Sequence, residues 1–119
     1  VDVSALASEE YCYLTTRGRV TGRPHRIEIW FALADSTLYM LSGGGSRSDW
    51  VKNLRTTPEV TVEIGPETIA GRARIVADDA EDEHARTLLF DKYQPAYGGD
   101  LSGWRTTALP VAVDLGVDA

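Results

Sequence analysis

Arginine and glycine coincide in one stretch of this chain, Thr15-Thr16-Arg17-Gly18-Arg19-Val20-Thr21-Gly22-Arg23-Pro24, with Arg26 two residues further on. Arginine presents a planar fork of donors matched to phosphate oxygens, and glycine lets the backbone approach a ligand closely. Clustered like charges repel one another when no partner is present. A second stretch, Ser42-Gly43-Gly44-Gly45-Ser46-Arg47, follows an apolar run and leads into a helical pattern. Its backbone N–H groups, reinforced by the helix dipole, can hold an anion. Read alone, the first stretch is either an anion site or a solvated basic loop, and the second is either an anion site or a tight connection. Together they point to a small anionic ligand. Neither has the spacing of a dinucleotide fingerprint or a nucleotide P-loop.

Aromatic residues supply the other chemistry. Trp30, Tyr39, Trp50, Tyr93, Tyr97 and Trp104 are a generous set for 119 residues. Trp50 reads as half core and half pocket wall. Tyr97 and Trp104 fall in a glycine-bearing stretch with little core role in view, which suits either a lid over a ligand or plain surface. His25 is a candidate ligand contact, whereas His84 sits in an acidic helical pattern. The two histidines have no partners at metal-ligand spacing, so no metal site is expected. Ser46 and Ser48 lack a nucleophile-elbow context. With no acid–base pair in evidence, a bound cofactor is the natural carrier of the chemistry, the protein supplying position and electrostatics.

Composition narrows the class. The net charge of −6 argues against nucleic acid as a partner, because backbone affinity needs a basic surface. Yet seven of the twelve basic residues lie between Arg17 and Arg55, opposed there only by Glu28, Asp35 and Asp49. The length fits one domain, read as an arm or short helix over 1–10 and a cofactor-binding domain over 11–119. A single cysteine, Cys12, excludes an intrachain disulfide framework and fits a reducing, cytoplasmic compartment. It reads as a small buried hydrophobe, with a reactive thiol as the alternative. No run of residues is long and apolar enough to span a bilayer. The chain opens on Val1, which leaves a preceding leader or membrane-contacting arm open. A homodimer would add burial to so small a domain.

The elements that must position these groups follow from periodicity. Strands are expected at 11–16, 26–33, 37–42, 59–64, 68–76 and 109–115, with a bulge at Gly71. Ile27, Ile29, Phe31 and Leu33 share one face of the second strand, and the first three strands form an antiparallel meander. A short helix over 47–55 is capped by Ser46 with Asp49, and a longer one over 78–93 by Asp78 with Glu81. The acidic first turn of the longer helix is dipole-favoured and solvated. Residues 94–107 are expected to be a flexible connection. The order β-β-β-α-β-β-α-β, mainly β and antiparallel with flanking helices, predicts a small barrel.

At this level the chain resembles a known group. TTRGRVTGRP followed by RIEIWF, then SGGG, then WVKNL and TTPEVTVEI, is similar to the deazaflavin-dependent nitroreductase family over about residues 11–115. Those proteins are FMN-binding-like split β-barrels that use reduced coenzyme F420. The resemblance implies that Arg19, Thr21, Gly22, Arg23 and Pro24 form a first cofactor loop, and Ser42, Gly43 and Gly44 a second. Trp50, Asn53 and Leu54 match the family's W-x-x-N-L helix beside the cofactor. The Tyr93–Tyr97 region resembles a segment in which a tyrosine borders the substrate or supplies a proton. Val20 stands where many relatives carry lysine, and His25 where they carry a basic residue. Contacts to the cofactor tail are therefore expected to shift to Arg17, Arg26, Arg47 or Lys52. The implied reaction is hydride transfer from reduced coenzyme F420 to a small electrophile: an activated C=C bond in an enone or coumarin-type lactone, a quinone, or a nitroaromatic. The alternatives are an FMN-dependent split-barrel oxidoreductase and a non-catalytic carrier of coenzyme F420.

Overall fold

The computed structural model describes residues 3–116. Its elements are β1 (Cys12–Arg17), β2 (Pro24–Ile29), β3 (Ala32–Ala34), β4 (Thr37–Ser42), α1 (Asp49–Thr56), β5 (Glu59–Ile64), β6 (Glu67–Ile75), α2 (Asp79–Tyr93), α3 (Ser102–Thr107) and β7 (Leu109–Leu115). Short 3-10 turns occupy Val3–Leu6, Gly45–Arg47 and Gln94–Ala96. The outermost parts of the expected divisions, residues 1–2 and 117–119, lie outside the described residues. No helix among the described residues is long and apolar enough to cross a membrane.

The seven strands form one antiparallel sheet in the order β2-β1-β5-β6-β7-β4-β3. Only Trp30 and Phe31 separate β2, at one edge, from β3, at the other. A sheet whose two edges are joined by so short a link must roll until they meet. The result is a half barrel split along the line where β2 parts from the far end of β4.

Burial explains why some strands alternate and others do not. The barrel interior holds Cys12 and Leu14 of β1, Val60, Val62 and Ile64 of β5, and Val111, Val113 and Leu115 of β7, with Val51 and Leu54 of α1 plugging one end. The outer faces of β1 and β5 meet solvent, so their sequences alternate. β4 is covered on both sides: Leu38 and Met40 point inward, while Tyr39 and Leu41 lie beneath Ala85, Leu89 and Tyr93 of α2. That double burial is why TLYML reads as a continuous apolar run. Cys12 is fully buried, and burial pushes its thiol up to about 12, so it packs as a hydrophobe.

Several sequence expectations are corrected. The first three strands do not make a meander, because β4 pairs with β3 and β7 and β2 pairs with β1. The single strand expected over 26–33 is broken at Trp30–Phe31, although Ile27, Ile29, Phe31 and Leu33 do share the inner face. The break has a long-range cause: the Phe31 N–H donates to the Tyr93 hydroxyl at 3.0 Å and the Phe31 carbonyl accepts from Lys92 at 2.9 Å. Ser46 does not cap α1. Ser48 is its N-cap and makes no side-chain cap bond, its hydroxyl lying 2.9 Å from that of Ser42 instead. At α2 only half the expected box forms: Asp78 accepts from the Glu81 N–H, and the Glu81 side chain turns to Arg74 and Tyr39. Gly71 marks no bulge, since the β5–β6 register runs unbroken through it. A Cβ there would meet Val113 Cγ1 at 2.5 Å, so the glycine serves close packing. Residues 94–107 are not a structureless connection, for they contain a 3-10 turn and α3.

Glu81 also sets an acid limit on stability. Its hydrogen bonds to Arg74, then to Tyr39, hold its carboxyl down at about 2, against an ordinary 4.5. A depressed carboxyl stabilises the fold fully above its unfolded value and loses that contribution as pH falls toward the folded one. The urea midpoint is therefore expected to drop between about pH 4.5 and pH 2, and Arg74→Met should flatten that slope. An unchanged slope in the variant would assign the acid sensitivity to other groups.

Candidate functional site

The arginine-glycine loop is a closed turn. Gly18 N–H donates to the Arg23 carbonyl at 2.7 Å, and Gly22 N–H to that of Gly18 at 2.8 Å. Gly22 has φ of +77°, a conformation L side chains rarely adopt, and the space around it is open. Arg19 ties the loop to α1. Asn53 is 2% exposed, and its Oδ1 accepts from the Arg19 backbone N–H at 3.2 Å and the Arg19 guanidinium at 2.8 Å. Its amide donates to the hydroxyl of Thr16, itself buried at the end of β1. Arg19 also bonds to Asp49 at 3.1 Å. The loop is thus fixed to α1, which begins just after the glycine turn.

An open cavity of about 300 Å³ lies there, lined by Gly18, Arg19, Val20, Thr21, His25, Asp49 and Asn53. Of the expected cofactor residues, Arg19, Thr21 and Asn53 face it. Gly18, Val20 and Asp49 line it as well, and Asp49, whose spacing suggests a cap, pairs with Arg19 instead. Val20 stands 89% exposed. Arg17, Gly22 and Pro24 border a different cavity, beside Glu59 and Gly71. Arg23, Arg47 and Lys52 are exposed. Arg26 is committed elsewhere, to Glu63 at 2.7 Å and over the Tyr13 ring at 3.7 Å. Ser42 closes the glycine turn by donating to the Gly45 carbonyl at 2.9 Å. A Cβ on Gly44 would meet the Ser48 hydroxyl, so a side chain there would have to displace it. Trp50 is half-buried against the core, and Leu54, 1% exposed, lies inside the barrel rather than at the rim.

β2 carries the site onward. From His25 the strand runs to a small cavity formed by Glu28, Ile29, Trp30, Leu41 and Trp104, which occupies the split between β2 and β4. Beyond it lies a cavity of about 410 Å³ walled by Trp30, Tyr93 and Tyr97, with Glu10 and Lys92 at its margin. The five residue steps from His25 to Trp30 span roughly 16 Å. Trp30 organises this end: it stacks on Tyr93 (4.3 Å between centroids, 4° between planes) and meets Tyr97 and Trp104 edge-on.

The two expected catalytic tyrosines are both here and differ in what they can do. The Tyr93 hydroxyl accepts from the Phe31 N–H and donates to the Glu10 carbonyl at 2.6 Å, and burial raises it to about 12. Its proton is committed to the backbone. Tyr97 is 48% exposed and stands over the cavity.

A half barrel of antiparallel strands flanked by helices defines an FMN-binding-like split β-barrel. Within that class the comparisons go further. The model of the family described as F420H(2)-dependent quinone reductase matches residues 3–116, and the chain belongs to that family. It is an F420H2-dependent reductase, a hydride-transfer oxidoreductase on a deazaflavin-binding fold. Among solved structures, an F420-H2 dependent reductase is similar at 20% identity and a TM-score of 0.71, over 87% of this chain and 93% of that one. A conserved hypothetical protein from Mycobacterium tuberculosis is similar at 19% identity and 0.76, over 98% and 81%. A structure described as a domain-swapped dimer is similar at 21% identity and 0.71, over 87% and 79%. At these identities the likenesses concern the fold.

Proposed function

We propose that the groove along β2 holds reduced coenzyme F420, its anionic tail at the Arg19–Asn53 rim, and that the Trp30–Tyr97 cavity takes the hydride acceptor. The observation that carries this reading is that one short segment, His25 to Trp30, contributes lining residues to the cavities at both ends. The donor set fits such a tail: a guanidinium, a hydroxyl, an imidazole and an amide converge with a glycine at one open cavity. Asp49 holds Arg19 in place, and an arriving anion would share that guanidinium with it. Arg17, Gly22, Arg23, Pro24, Ser42, Gly43, Gly44 and Arg47 shape the two loops and add positive potential around the tail. Trp50 and Leu54 anchor α1 beneath the rim.

When bound, the reduced deazaflavin supplies a hydride. The protein's part is to hold the acceptor flat between aromatic faces, exclude water and stabilise negative charge as it develops on oxygen. The cavity's shape and aromatic walls favour a planar, apolar acceptor: a quinone first, then an enone, a coumarin-type lactone or a nitroaromatic. Tyr97 closes over such a ring. Because the Tyr93 hydroxyl is bound to the backbone, Tyr93 contributes its face rather than its proton.

A side-by-side titration of the deazaflavin and FMN, followed by turnover with menadione and a coumarin, tests the reading. The deazaflavin is expected to bind more tightly and to be oxidised by menadione. Tighter FMN binding would favour the flavin alternative, and tight deazaflavin binding without turnover on any acceptor would leave a carrier. Arg19→Ala should weaken deazaflavin binding about thirtyfold, the scale of a lost charge-assisted hydrogen bond. Unchanged affinity would remove Arg19 from the site.

A further inference from the structure

Lys92 sits in the last turn of α2, where sequence alone gives it the ordinary task of complementing the helix dipole. The structure places it differently. Its ammonium donates to the Phe31 carbonyl at 2.9 Å, stands 3.7 Å above the Phe31 ring and 5.2 Å from that of Tyr93, and borders the aromatic cavity. Six of the arginines are in ion pairs, whereas among the described residues no carboxylate pairs with Lys92. An ammonium has three donors, and the Phe31 carbonyl uses one. A half-buried, fixed cation with donors to spare therefore lies beside an apolar cavity.

We propose that Lys92 is a catalytic residue, binding the carbonyl oxygen of the acceptor and passing it a proton as the hydride arrives. The proposal rests on reading this cavity as the acceptor pocket. The electron pair comes with the hydride from the reduced deazaflavin, as in the family's reaction. For an enone the new C–H bond forms at the β-carbon, the C=C pair shifts toward the carbonyl carbon and the C=O pair moves onto oxygen. The O–H bond forms as a Lys92 N–H bond breaks, the product leaves as the enol, and the neutral amine regains a proton from water. For a quinone the same hydride and proton give the hydroquinone.

The surroundings suit this exchange. The titratable groups facing the ammonium are Glu9 and Glu10 on the N-terminal segment, Cys12 of β1, and Tyr93 and Tyr97 beside it in sequence. Burial brings Lys92 down to about 8, while Cys12 and Glu9 act in the opposite sense. An acid in that range is charged at neutral pH and gives up its proton readily.

The test compares two naphthoquinones of similar shape in the cofactor-free protein, read by quenching of tryptophan fluorescence. One is 2-hydroxy-1,4-naphthoquinone, an anion at neutral pH, and the other is menadione, which is neutral. The wild type is expected to prefer the anion about tenfold near pH 7, as one charge-assisted hydrogen bond would give, and to lose the preference above about pH 8. Lys92→Gln should show no preference at any pH, and Lys92→Arg should keep it into the alkaline range. In turnover of menadione with the reduced deazaflavin, Lys92→Gln should lower kcat about a hundredfold and lose the alkaline limb of the pH profile. Lys92→Arg should keep KM and still lose kcat. If Lys92→Gln retains both the anion preference and the alkaline limb, Lys92 is only a helix-end cation and the proposal is overturned. If the wild type itself turns over no acceptor, the acceptor-pocket reading falls, and the donor role with it.

Discussion

Asn53→Leu is expected to destabilise the protein by about 3 kcal/mol, because the leucine fills the space and satisfies none of the groups left behind. The Asn53 side chain joins α1, the end of β1 and the arginine-glycine loop. Without its carbonyl, the Arg19 backbone N–H and guanidinium lose an acceptor; without its amide, the buried Thr16 hydroxyl loses a donor. The urea midpoint should fall, and deazaflavin affinity should fall with it because Arg19 is no longer aimed. Since Asn53 and Arg19 act through the same contact, the Asn53→Leu, Arg19→Ala double variant should bind little worse than either single one. Full additivity would mean that Asn53 does not position Arg19.

Trp30→Ala is the other change of comparable size, with an expected loss of about 3 kcal/mol by the scale of large-to-small substitutions. Trp30 occupies the break between β2 and β3 and touches three other aromatic rings, those of Tyr93, Tyr97 and Trp104. Its removal takes the shared wall from both the cavity in the split and the aromatic cavity. The expected signature is selective: a lower melting temperature and a raised KM for menadione, with the Arg19 end of the groove nearly unchanged in its affinity for the deazaflavin. Trp30→Phe should recover most of the stability. Equal losses at both ends would show that the two sites are not separable along β2.

The fold was largely legible because period and burial agree in β1, β5 and α2, and because the loop, the SGGG turn and the W-x-x-N-L helix fall in a recognisable order. What failed to show was long-range. Nothing near Phe31 in sequence announces that Tyr93 and Lys92, some sixty residues away, will take both of its backbone groups and break the strand. α3 was obscured by Gly98, Gly99 and Gly103, whose turn signals outweighed a six-residue helix that is held by the Trp30–Trp104 contact. Ser46 and Asp49 satisfied a capping pattern, yet tertiary partners claimed Asp49 for Arg19. The rim was readable as a set of charges, while the pairing of Arg19 with Asn53 was not, because 34 residues separate them.

The segment from Pro24 to Ala34 belongs to both edges of the sheet, and this restricts how the gene can change in length. A surface turn such as Gly98–Asp100 can lengthen or shorten with local effect. A single codon gained or lost between His25 and Trp30 would reverse which side chains face the interior, turning Trp30 inward and Phe31 outward. It would also shift one end of the groove relative to the other. Diversification of acceptor choice in proteins built this way is therefore channelled into the helical arm after α2 and the loops, while the strand that spaces the two ends stays fixed in length.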